Sequence, residues 1–125
     1  MKSKIEFLGE KYKSLVESDF MSFDEVVLLK NTMGVYVIYN HLKEIIYVGN
    51  TNKFNVRFGT DLKHESTHTL VMKFIKFAHF EDRYQVVDYL KTKCAMKIEI
   101  CDSKREAEAL EGIAIYCMNP YFNKE

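Results

Sequence analysis

The chain has 125 residues and carries 18 basic and 18 acidic side chains, which gives a formal net charge of zero. This length predicts one domain, and a hydrophobic content of 47% with 14% aromatic residues excludes a disordered chain. The overall basic excess common among nucleic-acid-binding proteins is missing. Lys and Arg nevertheless outnumber Asp and Glu between residues 41 and 80, so a local basic patch can still form.

The cysteines and the hydropathy pattern bear on the cellular location. Cys94, Cys101 and Cys117 form neither a C-x-x-C pair nor an even set, which is typical of reduced thiols. The apolar patterns around them place Cys101 and Cys117 on apolar faces. No secretory leader and no apolar run long enough for a membrane span is visible, so the expected location is cytoplasmic, with no membrane association.

Apolar spacing and local signals predict the order of helices and strands. Residues 3–17 have helical spacing, and the capping box Ser22-Phe23-Asp24-Glu25 predicts a short second helix. A strand pair follows around the turn Asn40-His41-Leu42-Lys43. The remaining segments are predicted helices over 52–63, 70–80 and 84–90, a strand over 95–101, and a helix over 103–118 that is stopped by Pro120.

Strands bracketed by helices in this order predict an α+β fold, in which a small three-stranded antiparallel or mixed sheet is flanked by helices. The organisation that we expect is an N-terminal helical extension over residues 1–32, followed by the main domain over residues 33–125. The extension could pack against the sheet, dimerise, or contact nucleic acid.

The hairpin GVYVIYNHLKEIIYVG, residues 34–49, contains a Gly and a Tyr in mirrored order on its two strands. If the turn has an even number of residues, Tyr36 lies directly opposite Tyr47 and both phenols project from one face. A turn of odd length would place them on opposite faces, because register decides the side. The alternative explanation is that Tyr is simply a favourable strand residue.

Glu111 and Arg57 are the charged residues that stand out. On the last helix, Glu111 flanks the apolar stripe, and a half-buried carboxylate is costly unless it is paired with a base or a metal. Gly112 beside it costs about 1 kcal/mol against Ala in a helix, which is understandable if a large group approaches the backbone. Arg57 could be a solvated side chain or a phosphate clamp, since its planar fork matches phosphate oxygens. For Glu111, a structural ion pair is the alternative.

Gly34-Val35-Tyr36, Tyr47-Val48-Gly49, Arg57, Glu111 and the closing Pro120-Tyr121-Phe122-Asn123 together resemble the GIY-YIG nuclease family, over about residues 33 to 123. The resemblance implies a DNA endonuclease, with RNA as an open alternative, that uses one Mg²⁺ or Mn²⁺ ion held mainly by the glutamate. It also implies that Tyr36 and Tyr47 activate or orient water, with a slight preference for Tyr36 as the base. By the same resemblance, Arg57 binds the scissile phosphate and Asn123 is a supporting hydrogen bonder.

Further candidates for substrate contacts come from the polar and basic positions of the chain, namely Asn50, Lys53, Lys63, His64 and Asn123. Specificity would come from loops, from a homodimer or from a partner protein, in a setting of DNA repair, restriction, or phage and mobile-element work.

The chain departs from the family pattern at two positions. Asn50 stands where many members have Lys, and Asp61 stands where many have His or Tyr. Asn50 removes a cation that would lower a phenol pKa, and Asp61 adds a negative charge or a second metal ligand near the phosphate. These departures favour, as the alternative function, a catalytically weak or inactive module that binds nucleic acid or a protein partner.

A competing motif, His64-Glu65-Ser66-Thr67-His68, matches the H-E-x-x-H signature of zinc peptidases. That mechanism requires both histidines on one face of a stable helix, with Glu as the base. Ser and Thr inside the motif are poor helix formers, and no third ligand is obvious. The zinc peptidase is therefore a remote alternative.

Overall fold

A computed structural model describes residues 3–64 and 69–123. Its elements, in chain order, are α1 (Lys4–Glu17), α2 (Phe23–Val26), β1 (Met33–Tyr39), β2 (Ile45–Thr51), α3 (Phe54–Phe58), α4 (Thr60–His64), α5 (Thr69–Phe77), α6 (Arg83–Lys93), β3 (Ala95–Cys101), α7 (Lys104–Met118) and a 3₁₀ turn (Tyr121–Asn123). The strands form one sheet in the order β2-β1-β3, and both pairings are antiparallel. The predicted α+β fold is confirmed, and of the two sheet types allowed by the sequence the antiparallel one is observed.

The turn between β1 and β2 has an odd number of residues. The backbone N–H of Asn40 donates to the carbonyl of Glu44 at 3.0 Å, and Lys43 adopts a left-handed conformation with a φ of 62°. The side-chain oxygen of Asn40 accepts hydrogen bonds from the backbone N–H groups of Leu42 and Glu44, each at 2.9 Å. Residues 41–43 therefore form a three-residue loop, a common hairpin connection with a residue of positive φ.

A β-bulge next to this turn restores the parity of the hairpin. Tyr39 pairs with Ile45, but Ile38 pairs with Tyr47, so Ile46 is an extra residue. Beyond the bulge, Tyr36 pairs with Gly49. The predicted direct pairing of Tyr36 with Tyr47 is wrong, since the partners are offset diagonally. Both tyrosines nevertheless face the same side, because the extra residue compensates for the odd turn.

Each face of the sheet carries its own core. On the first face, the strand residues Tyr36, Ile38 and Tyr47 pack with apolar side chains of α2 to α6. On the second face, the strand residues Val35 and Val37 pack with residues of α1 and α7. β2 lies at the edge of the sheet, and α7 packs against it. The edge of β2 is thus where groups from both faces can meet.

The expected N-terminal extension packs against the sheet. Leu15 of α1 is fully buried in the second core, and Lys11 donates to the carbonyl of Ile100 at 2.6 Å. Phe23 of α2 lies in the first core, with its ring centroid 5.5 Å from that of Phe58. Packing against the sheet, one of the three possibilities that the sequence left open, is therefore observed.

Two local predictions are wrong. The single helix expected over residues 52–63 is divided at Gly59, where φ of −99° and ψ of −97° depart from helical values and a Cβ would lie 2.5 Å from the carbonyl oxygen of Asn55. Cys117, expected on an apolar face, is exposed, whereas Cys101 is buried. Within the described part of the chain, no helix combines the length and the apolarity that a membrane span requires.

Candidate active site

The two motif tyrosines lie side by side under the helices of the first face. Tyr36 is 1% exposed and Tyr47 is 8% exposed, and their ring centroids are 6.1 Å apart. A Cβ on Gly49 would lie 2.4 Å from the phenol oxygen of Tyr36. The glycine of the second motif therefore leaves space for the tyrosine of the first.

Arg57 projects from α3 to this pair. Its guanidinium donates a hydrogen bond to the phenol oxygen of Tyr36 and also interacts electrostatically with Tyr47. Arg57 lies in the last turn of α3, and the first and last residues of this short helix, Phe54 and Phe58, are buried in the first core. A guanidinium in this position can bind an anion next to the two phenols.

Glu111 approaches the same place from α7. Asn50, on the part of β2 that faces α7, donates its side-chain N–H to Oε1 of Glu111 at 2.6 Å. Glu111 also interacts electrostatically with both Tyr36 and Tyr47. The structure thus brings together all four residues that the sequence singled out, at the edge of β2 where the two faces of the sheet meet.

The charge state of Glu111 reflects its half-buried position. Burial raises the pKa of Glu111, the hydrogen bond from Asn50 lowers it, and the charge of Glu108 raises it, so that the net direction is upward. A carboxylate that has lost part of its hydration gains more from a bound cation than an exposed one does. Asn50, which was predicted to contact substrate, donates a hydrogen bond to Glu111 in the structure.

Burial also raises the pKa of both phenols. Burial raises the pKa of Tyr36 well above the ordinary range; Tyr47 and, more weakly, Glu111 also raise this pKa, whereas Arg57 lowers it, and the net direction is upward. Burial and the charge of Glu111 raise the pKa of Tyr47 as well, again against Arg57. Both phenols are therefore protonated at neutral pH, and a negative charge on either one requires additional positive charge nearby.

The side chain of Asn123 connects the 3₁₀ turn to β2 through two hydrogen bonds. Its side-chain amide donates to the carbonyl of Val48 at 2.9 Å, and its side-chain oxygen accepts from the N–H of Val48 at 2.7 Å. These bonds satisfy backbone groups on the edge of β2 that does not face β1, next to Tyr47. The supporting position expected for Asn123 is thus seen as a contact with the backbone of the second motif.

Three charged residues lie near the cluster but were not predicted as site residues. Lys73 and Lys104 were not singled out in the sequence, and Asp61 was noted only as a departure from the family pattern. Lys73 of α5 lies over the Tyr47 ring, 5.6 Å from the centroid, and donates to the carbonyl of Phe122. Lys104 and Asp61 line a polar cleft of about 360 Å³ together with Arg57. No periodicity links Lys73 or Lys104 to the motifs, since only the tertiary fold brings α5 and the start of α7 to β2.

The other sequence candidates are placed as follows. Lys53 is exposed and immediately precedes α3, with its backbone N–H donating to Thr51 Oγ1 at 3.2 Å. The side chains of Lys63 and His64, and all of residues 65–68, lie outside the described residues, and with them the H-E-x-x-H motif. Among the described residues, no group of three or more His, Cys, Asp or Glu side chains is arranged to hold a metal ion.

The comparison with protein families decides the assignment. The model of the GIY-YIG catalytic domain matches residues 32–123. This chain belongs to the GIY-YIG family. The resemblance that the sequence motifs indicated is thereby confirmed. A comparison with curated proteins gives no significant match.

Solved structures with the same GIY-YIG fold include the N-terminal endonuclease domain of UvrC from Thermotoga maritima bound to its catalytic divalent cation, magnesium. It shares 19% identity with this chain at a TM-score of 0.56, covering 81% of this chain and 93% of that one. A tyrosine-to-phenylalanine variant of the same domain, also with its catalytic divalent cation, matches with the same TM-score of 0.56 at 19% identity, over 82% and 93% of the two chains. An asparagine-to-alanine variant matches at 18% identity with a TM-score of 0.56 and the same coverage of 82% and 93%. At this identity the likeness establishes the fold.

Proposed function

We propose that this chain is a metal-dependent endonuclease that hydrolyses phosphodiester bonds in DNA. The observation that carries the proposal is the convergence of Tyr36, Tyr47, Arg57 and Glu111 at one edge of the sheet, although they come from β1, β2, α3 and α7. Membership of the GIY-YIG family supports it. So does the UvrC domain, which has the same fold and is described as an endonuclease domain with a catalytic divalent cation.

In this proposal Glu111 holds a single Mg²⁺ or Mn²⁺ ion. A lone carboxylate with one oxygen engaged by Asn50 suits a hard cation that keeps most of its water ligands. When bound, the ion supplies positive charge that stabilises the cleaved phosphate and the leaving oxygen.

Arg57 binds the scissile phosphate. Its guanidinium is already directed at the phenol oxygen of Tyr36, so a phosphate oxygen bound by the same fork would lie beside both tyrosines. Lys104 lines the adjoining polar cleft and adds a second cation for the flanking backbone. Asp61, in the same cleft, opposes that charge and reduces the affinity for DNA relative to a neutral residue.

The attacking water transfers a proton to a tyrosine phenolate, which forms when the phenol first loses its own proton to solvent, and the two tyrosines differ in how suited they are to this ionisation. Tyr36 is the more deeply buried, and burial raises its pKa well above the ordinary range. Tyr47 keeps slightly more exposure and lies close to Glu111, and therefore to the cation. A general base must be able to lose its proton. We therefore assign the base to Tyr47 and a positioning role to Tyr36, which revises our sequence-based preference.

The test is metal-dependent nicking of supercoiled plasmid by the full chain in Mg²⁺, in Mn²⁺, or with chelator, alongside single-stranded, branched and RNA substrates. Glu111→Gln should abolish nicking, whereas Glu108→Gln, an exposed acidic residue of the same helix, should keep it. Nicking that survives Glu111→Gln would contradict the assignment. Binding of DNA without cutting in every metal would instead support the inactive module, and zinc-dependent casein cleavage lost in Glu65→Ala would support the peptidase.

A further inference from the structure

A second cavity, of about 460 Å³, lies beside the proposed site, and half of the residues that line it are aromatic. Its volume is in the range typical of small-molecule pockets, about 300 to 1,000 Å³. Phe74 forms the centre of the wall, with ring centroids 5.6 Å from Phe80, 5.7 Å from Tyr89 and 4.8 Å from Phe122. Tyr121 stands at the rim with 62% of its surface exposed. We call this cavity the aromatic pocket.

The aromatic pocket adjoins the proposed active site. Ile46, the extra residue of the bulge, lines the pocket and directly precedes Tyr47. Phe122 lines it as well and directly precedes Asn123, which is bonded to β2. Lys73 bridges the two places, because its ammonium lies 5.6 Å from the Tyr47 ring centroid and donates to the carbonyl of Phe122.

Asn40 and Glu44 also line the pocket, and the side-chain amide of Asn40 donates to Glu44 Oε1 at 2.9 Å. Glu44 is close enough to raise the pKa of Tyr89, after burial and Cys94. A ligand that complements this arrangement has a flat aromatic ring, a hydrogen-bond donor on the edge of that ring, and a negative charge near Lys73. A nucleotide has all three.

We propose that the aromatic pocket binds an unpaired nucleobase next to the scissile phosphate. This inference rests on the proposed nuclease function and specifies its substrate class, namely single-stranded DNA or a duplex with an extrahelical nucleotide. A base inside a duplex has both faces stacked and its pairing edge occupied, so it has to leave the helix to enter a concave pocket. In the pocket it stacks on the aromatic wall, while Lys73 contacts its phosphate.

Glu44 adds selectivity among bases. The carboxylate of Glu44 accepts hydrogen bonds and donates none when ionised. Adenine, cytosine and guanine carry an exocyclic amino group that can donate to it, whereas the only base donor of an unpaired thymine is a ring N–H flanked by two carbonyl oxygens, which the carboxylate repels. The pocket therefore prefers an amino-bearing base over thymine.

The test uses binding, so that it does not depend on cutting. Glu111→Gln protein in chelator is titrated into oligonucleotides carrying 2-aminopurine, an amino-bearing fluorescent base, as a single strand, as an extrahelical nucleotide, or fully paired. Stacking on an aromatic side chain is strong enough for an affinity difference of about tenfold or more. We expect quenching and that preference for the unpaired forms, together with weaker binding when the unpaired base is thymine.

Three variants test which residues of the pocket produce the preference for unpaired bases. Tyr121→Ala, at the rim of the pocket, should lose most of the preference for unpaired forms. Tyr116→Ala, a tyrosine that is 89% exposed on α7 and does not line the pocket, should retain it. Glu44→Ala should abolish the discrimination against thymine and keep the preference for unpaired bases. Circular dichroism melts of each variant exclude unfolding as the cause of a loss.

The two proposals fail in different ways. Equal affinity for paired and unpaired oligonucleotides, or identical behaviour of Tyr121→Ala and Tyr116→Ala, would overturn the nucleobase pocket even if the wild-type chain nicks plasmid. A clear preference for the unpaired forms in a chain that never cuts would refute the nuclease and leave the pocket standing.

Discussion

Adding one methyl group at Gly49 should displace the Tyr36 phenol. An alanine Cβ at this position would lie 2.4 Å from the Tyr36 oxygen and 2.6 Å from the ring carbon that carries it. Ordinary contact begins at 3.4 Å, so the phenol has to move by roughly 1 Å. Tyr36 is 1% exposed and its ring lies 4.8 Å from that of Phe58, so the movement forces neighbouring core residues apart.

The displacement should change both stability and rate. Overpacking of a well-packed core typically costs about 1 to 3 kcal/mol in the free energy of unfolding. A misplacement of about 1 Å at a reacting group can lower a rate by ~100-fold. For Gly49→Ala we therefore expect a loss of stability in that range and nicking reduced by about two orders of magnitude.

Urea unfolding measures the stability and plasmid nicking in Mg²⁺ measures the rate. Gly9→Ala is the matched control, because Gly9 lies inside α1 and a Cβ there meets nothing within 4 Å. It should stabilise the protein by up to ~1 kcal/mol and leave nicking unchanged. If Gly49→Ala unfolds and nicks like the wild type, the close approach of Tyr36 to Gly49 does not govern the site.

Three further outcomes follow from the contacts at the edge of β2. Asn50→Ala should weaken Mg²⁺ binding by ~10- to 100-fold in calorimetric titration, as is usual when the partner of a metal ligand is lost; an unchanged affinity would remove Asn50 from the site. The nicking rate should rise with pH through and above neutrality, because raised pKa values keep the phenols protonated and the ionised fraction grows with pH below the pKa. Tyr47→Phe should abolish this rise while Tyr36→Phe retains it, and the reverse result would return the base to Tyr36. Asn123→Ala should lower the free energy of unfolding by about 1 to 3 kcal/mol through two lost hydrogen bonds, whereas exposed Asn52→Ala should leave urea melts unchanged.

The sequence predicted the parts of the site that depend on local periodicity. Helical spacing placed Glu111 at the flank of a buried stripe, and it is half-buried beside the cluster. The capping signal at Ser22 is seen as a complete capping box. These features involve residues a few positions apart, so patterns in the chain are sufficient to predict them.

The hairpin shows what local patterns leave open. The same-face arrangement of Tyr36 and Tyr47 was conditional on an even turn, yet the turn is odd and a bulge compensates for it. The position of a bulge depends on how Ile46 packs against helices far along the chain. The pairing of Asn50 with Glu111 spans 61 positions and depends on the docking of α7 on β2, which no short-range pattern encodes.

The compensation in the hairpin also limits how the loop can vary. Deleting or inserting one residue among 41–43, with the bulge unchanged, would turn every β2 side chain to the opposite face of the sheet, so that Tyr47 would face the second core and Asn50 the first. A change of two residues would preserve the pattern. Natural and engineered length changes in this loop are therefore expected to involve an even number of residues, or to be accompanied by the loss of the bulge. Whether the loop has an odd or an even number of residues thus decides which side of the sheet Tyr47 faces.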